Sequence, residues 1–81
     1  MDPSLQAIRR GNLRLLMATL STEGVDAWDT SGKLLAGISG VQLRALMRGM
    51  VIDDAMAREM EWSMQRPVGW MDHAHVGLLD E

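Results

Sequence analysis

Gly37-Ile38-Ser39-Gly40-Val41-Gln42-Leu43-Arg44-Ala45-Leu46-Met47-Arg48-Gly49 is the stretch whose reading decides the fold. Gly37 permits a sharp bend without steric cost, and Ser39 is of the residue class that caps helix N-termini. Leu43, Leu46 and Met47 follow at helical spacing, so the chain is expected to form a helix over 40–48 with these three inward. Gly49 then ends it, because glycine adopts the left-handed conformation found just past many helices.

Upstream, Leu5, Ile8, Leu13, Leu16 and Leu20 recur as one approximate helical face from Pro3 to Leu20. Pro3 is tolerated at a helix start, with Asp2 as its cap, whereas Gly11 weakens the middle by up to ~1 kcal/mol. Residues 21–29 read as a connection that Trp28 folds onto the domain. A short second helix is expected near 30–36, capped by Thr30 or Ser31. Downstream, Asp53 caps a helix over 54–65 whose inward face is Met56, Ala57, Met60 and Met64. Pro67 stops it, and Val68–Met71 forms one more turn.

Chain length, charge and composition narrow the field. The 81 residues allow one domain with a modest core. With no cysteine, disulfides and thiolate zinc sites are excluded. No apolar run reaches the ~18 residues of a membrane span, and the first residues carry no apolar leader, so a cytoplasmic location and no membrane are expected. No segment alternates with period two, and Phe and Tyr are absent, which disfavours strands. The expected architecture is therefore all-α: a compact bundle of four to five short helices with a central helix-turn-helix. Residues 1–72 form the domain and 73–81 a flexible C-terminal tail.

The formal net charge of −3 argues against a polyanionic partner, but the charges are unevenly placed. Segment 3–20 holds Arg9, Arg10 and Arg14 with no acid, and segment 39–50 holds Arg44 and Arg48 with none. The last third is acidic, with Asp53, Asp54, Glu59, Glu61, Asp72, Asp80 and Glu81 against Arg58 and Arg66. No nucleophile–base pair and no phosphate loop is visible, so no enzyme and no cofactor are expected. Asp72, His73 and His75 are three potential ligands in a tail, which reads as incidental polarity rather than a metal site. The methionines at 56, 60 and 64 have core spacing. Trp70 also belongs to the core, while Trp62 falls off that face as a candidate partner contact.

The Gly37–Gly49 segment resembles the turn and recognition helix of the lambda repressor-like (Cro/XRE) family. Ile8-Arg9-Arg10-Gly11-Asn12-Leu13-Arg14-Leu15-Leu16 resembles the opening of phage-type members. Ala57-Arg58-Glu59-Met60-Glu61 with Pro67-Val68-Gly69-Trp70-Met71-Asp72 resembles their closing segment. Together these cover about half of the chain, in order. The family's usual Leu-Ala in the second helix is replaced by Gly32-Lys33, which suggests a shifted or distorted helix there. The resemblance implies a transcriptional regulator that binds double-stranded DNA as a homodimer, with its third helix in the major groove. Gly40 and Val41 would stand at the first reading positions, with Val41 able to touch a thymine methyl. Gln42 would pair with adenine, Arg44 with a guanine edge, and Arg48 and the Ser39 cap with phosphate. Arg9, Arg10 and Arg14 would grip the backbone. The competing reading makes the arginines a solvated surface and the fold a protein-interaction module. It would work through Trp62, Glu59, Glu61 and the acidic last third.

Overall fold

Four helices and a closing 3-10 turn are laid down by local signals, and their buried faces then meet in one core. The computed structural model describes residues 3–75, so the Asp2 cap and residues 76–81 lie outside it. The helices are α1 (Pro3–Thr22), α2 (Trp28–Ala36), α3 (Gly40–Arg48) and α4 (Asp54–Ser63), followed by the 3-10 turn Trp70–Asp72. The protein is all-α, and no strand occurs among the described residues. No helix is long and apolar enough to cross a membrane among them.

α1 buries Leu13, Leu16 and Leu20. Continuing that face backwards by one turn reaches Arg9, not Ile8, and Arg9 is only 2% exposed. Leu5 and Ile8, expected inward, are half-buried at its edge. The helix runs to Thr22 because its stop signal is Gly24, at φ +87°, with Val25 N–H donating to Leu20 O at 2.9 Å.

α2 begins two residues earlier than Thr30, at Trp28, and no side chain caps it. Gly32 explains how this short helix can sit against α3. A Cβ there would stand 2.5 Å from Ile38 O and 3.0 Å from Ser39 O, so the turn passes directly over a side-chain-free position. Gly37 reverses the chain at φ +65°, its N–H and that of Ile38 returning to Lys33 O and Gly32 O.

At α3, Ser39 Oγ accepts from Gln42 N–H and Gln42 Oε1 accepts from Ser39 N–H, both at 3.2 Å, a complete capping box. Leu43 and Leu46 are buried and Met47 packs partly against them. Asp53 Oδ1 accepts from Met56 N–H at 2.8 Å to start α4. That helix ends at Ser63, before the expected residue 65, and Gln65 takes a left-handed φ of +57°. The core joins Leu13, Leu16 and Leu20 of α1 to Leu35, Leu43, Leu46, Ile52, Ala57, Met60 and Met71, with Met56, Met64 and Trp70 among the residues packed against it.

Polar groups tie the closing turn to this core. Arg9 Nε bonds Asp72 at 2.8 Å, Nη2 bonds Asp54 at 2.7 Å and Nη1 donates to Ile52 O at 2.7 Å. Arg58 bridges Glu61 at 2.9 Å and Asp72 at 3.0 Å. Glu61, 1% exposed, accepts from the backbone N–H groups of Gly69 and Met71. Asn12 donates to the carbonyls of Trp70, Met71 and His73. Residues 73–75, assigned to the tail by sequence, are thus attached: His75 stacks on Trp70 at 4.2 Å between ring centroids.

Candidate nucleic-acid interface

α3 has two faces because its apolar residues fall three apart. Leu43 and Leu46 enter the core, which leaves Val41, Gln42, Arg44 and Arg48 exposed. Val41 is 79% exposed. With Ala45 and Met50 it lines a shallow depression that Arg44 and Arg48 also border. The helix carries no acid, so the depression is apolar with a basic rim.

Each expected contact residue has a definite place. Arg44 lies with its guanidinium 5.1 Å from the Trp28 ring centroid, a cation–π contact that fixes the side chain against α2. Arg48 extends from the last turn with no ion-pair partner among the described residues. Arg10 donates from Nε to Leu46 O at 3.1 Å, closing the C-terminal end of α3 and bringing α1's basic flank beside it. Arg14, one turn further along α1, is exposed. Arg10, Arg14, Arg44 and Arg48 are therefore carried by two adjoining helices.

Three expected roles are altered by packing. Arg9 is no phosphate contact, since its side chain is buried and all of its donating nitrogens are engaged by Asp54, Asp72 and Ile52 O. Gly40 is no base reader: it is buried, and a Cβ there would meet Asp29 Oδ1 at 2.6 Å and Trp28 Cβ at 2.9 Å. Its N–H donates to Asp29 Oδ1 at 2.7 Å, so the protein's own carboxylate occupies the helix N-terminus where a phosphate was expected. Gln42 has its side-chain oxygen committed to the capping box, and a bidentate adenine contact would require releasing it. Ser39 Oγ accepts within the same box and keeps its hydroxyl hydrogen for an outside acceptor.

Asn12 is likewise turned inward, its amide donating to the carbonyls of the closing turn. Asp72 is held by Arg9 and Arg58. Its hydrogen bond from Arg9 keeps its carboxyl below the usual carboxylate range, against the opposing effect of burial. No cluster of three metal-binding side chains occurs among the described residues.

Trp28 and Asp29 are the members of this face that sequence reasoning missed. They lie at the start of α2, distant in sequence from Arg44 and Gly40, and only the packing of α2 on α3 joins them. The available signal was a tryptophan followed by an acid just before a short helix. Comparison with protein-family models, curated proteins and solved structures yields no match for this chain.

Proposed function

We propose that this protein is a DNA-binding regulator of the repressor-like helix-turn-helix class, and that it docks the exposed face of α3 in the major groove. The observation that carries the reading is the acid-free, outward-facing set Val41, Arg44 and Arg48 on a helix capped at both ends. Arg44, held by Trp28, is the base reader, and Val41 offers a methyl-sized apolar contact for thymine. Arg48, Arg10 and Arg14 take phosphates. A homodimer on DNA follows from the small footprint of one such module, which reads only a few base pairs.

Selection from a random duplex library at low salt tests this. An enriched motif is expected. Arg44→Ala should relax the preference at one base pair and weaken binding by about 1–3 kcal/mol, while Arg48→Ala should weaken all duplexes alike. No enrichment, with both variants indistinguishable from the parent, would sink the proposal.

A second reading has its own observation: Trp62 is 81% exposed beside Leu34, in a depression that Glu59 and Arg66 border. Tryptophan in such a position is a common anchor for a protein partner. Glu61 does not belong to that surface, because it is buried under the closing turn. Asp54 and Asp72 are likewise engaged by arginines, so the acidic face is narrower than the charge count suggests. Retention of a specific protein by the parent but not by Trp62→Ala, with no duplex enriched, would favour this reading.

A further inference from the structure

The arginines of this protein are restrained in different ways. Arg9 spends its donors on Asp54, Asp72 and Ile52 O, and Arg10 spends Nε on Leu46 O. Arg14 and Arg48 reach solvent without an ion pair among the described residues. Arg44 differs from both groups. Its guanidinium carbon lies over the Trp28 ring, 5.1 Å from the centroid, and among the described residues no hydrogen bond or ion pair takes up its nitrogens. A cation–π contact uses the charge of a guanidinium and leaves its N–H donors free. The side chain is restrained, yet its hydrogen-bonding capacity is unspent. The comparable contact of Arg66 with Trp70 is half-buried and lies off α3.

The platform under Arg44 is itself fixed, and to the same helix. Trp28 is half-buried and packs against the core. Beside it, Asp29 Oδ1 accepts from Gly40 N–H at 2.7 Å, one turn before Arg44. A Cβ at Gly40 would stand 2.9 Å from both Trp28 Cβ and Asp29 N, so the glycine lets the first turn of α2 lie directly on α3. The indole is therefore held relative to the helix that carries the arginine. Arg44 borders the same depression as Val41 and Arg48, so it is held on the outward face.

We propose that Trp28 is a specificity-determining positioning residue: it presents the Arg44 guanidinium to one base pair, and discrimination there depends on the indole as well as on the arginine. This role rests on the DNA-binding reading and adds to it a residue that acts through another. A long side chain ordinarily loses its rotamer freedom when it binds. For Arg44 that loss occurs on folding instead. Guanine suits the arrangement, because its O6 and N7 accept two N–H bonds from a guanidinium fork. Arg14 and Arg48, with no such platform, suit phosphate contacts, which carry no sequence information.

The DNA-free protein supplies one measurement. In NMR spectra the Arg44 side-chain protons, assigned by comparison with Arg44→Ala, should be shifted upfield by the indole ring. The Arg44 Nε–Hε group should be less mobile than that of Arg48. Trp28→Leu should abolish the shift, and Trp28→Phe, which keeps a π face, should retain part of it.

Binding supplies the other, with three duplexes: the one selected by the parent, the same one changed at the base pair where Arg44→Ala relaxes the preference, and an unrelated one. Trp28→Leu should weaken the selected duplex about three- to ten-fold, the cost of immobilising one long side chain. The unrelated duplex and the salt dependence should be unchanged. Trp28→Phe should recover most of the loss. In an Arg44→Ala background, Trp28→Leu should have no further effect on the selected duplex. Circular dichroism checks that each variant is folded; if Trp28→Leu is not, the DNA-free spectrum of the parent decides.

An Arg44 as mobile as Arg48, with unshifted protons, overturns the proposal and leaves the DNA-binding reading standing. So does a folded Trp28→Leu protein weakened equally on all three duplexes, or equally with and without Arg44. A restrained Arg44 with no duplex enriched removes the DNA-binding reading, and the role of Trp28 with it.

Discussion

Arg9 shows how one side chain can be diverted from surface chemistry to structure. Its guanidinium has donors enough for two carboxylates and a carbonyl, and it meets Asp72, Asp54 and Ile52 O from a nearly sealed position. Lysine cannot reproduce this fork, so Arg9→Lys should destabilise the protein nearly as much as Arg9→Met. The pairing also makes the fold acid-sensitive. The carboxyl of Asp72 is held below its usual value by the hydrogen bond from Arg9, so its contribution is present above the unfolded value of about 3.9 and is lost as pH falls through the lower folded value. Urea midpoints measured from neutral pH downward should drop below about pH 4. The drop should be shallower for Asp72→Asn, which starts from a lower midpoint. Parallel curves for the two proteins would remove Asp72 from the explanation.

At the scale of elements, the glycines of α1 and α2 have opposite meanings although both interrupt helices. Gly11 faces open space, so Gly11→Ala should stabilise the monomer by up to about 1 kcal/mol through helix propensity alone. Gly32 lies under the backbone of the turn, and the methyl of Gly32→Ala must push Ile38 O aside. That overpacking should outweigh the propensity gain and cost about 1–3 kcal/mol. Thermal melts of the two variants should therefore move in opposite directions. A higher melting temperature for Gly32→Ala would mean that α2 and α3 do not cross as closely as described. Gly32 is thus what permits this short helix to reach the turn. α2 itself begins at Trp28, two residues before the start expected from its sequence.

For the whole molecule, net charge and local charge must be separated. The chain is acidic overall, yet Asp54, Asp72 and Glu61 are held by Arg9 and Arg58, while Arg10, Arg14, Arg44 and Arg48 have no ion-pair partner among the described residues. Exposed arginines of this kind release counterions from DNA, and each phosphate contact contributes about −0.9 to the slope of log affinity against log salt. Under the proposed DNA docking, Arg14→Ala should therefore flatten that slope by about one unit and leave the selected motif unchanged. Arg9→Met, compared under conditions where it remains folded, should leave the slope as it is. A slope that responds to Arg9 but not to Arg14 would assign the contacts wrongly.

What the sequence determined by itself is the local punctuation. Ser39 and Asp53 start their helices, Gly37 and Gly49 end theirs, and the leucines of α3 face inward, because caps and periodicity act over a few residues. The turn between α2 and α3 and the all-α class were legible for that reason. The ends of α1 and α2 were less so, since Gly24 and the uncapped Trp28 gave weaker signals than the serines and threonines nearby. Only the tertiary structure decided which polar residues remain available. Arg9 and Arg10 are neighbours of the same chemistry, and one is buried against Asp54 and Asp72 while the other borders the basic face. Gly40 and Val41 are adjacent, and one is covered by Asp29 while the other meets solvent. Ion pairs and close approaches depend on where distant parts of the chain return, and a local pattern of residues does not encode that distance.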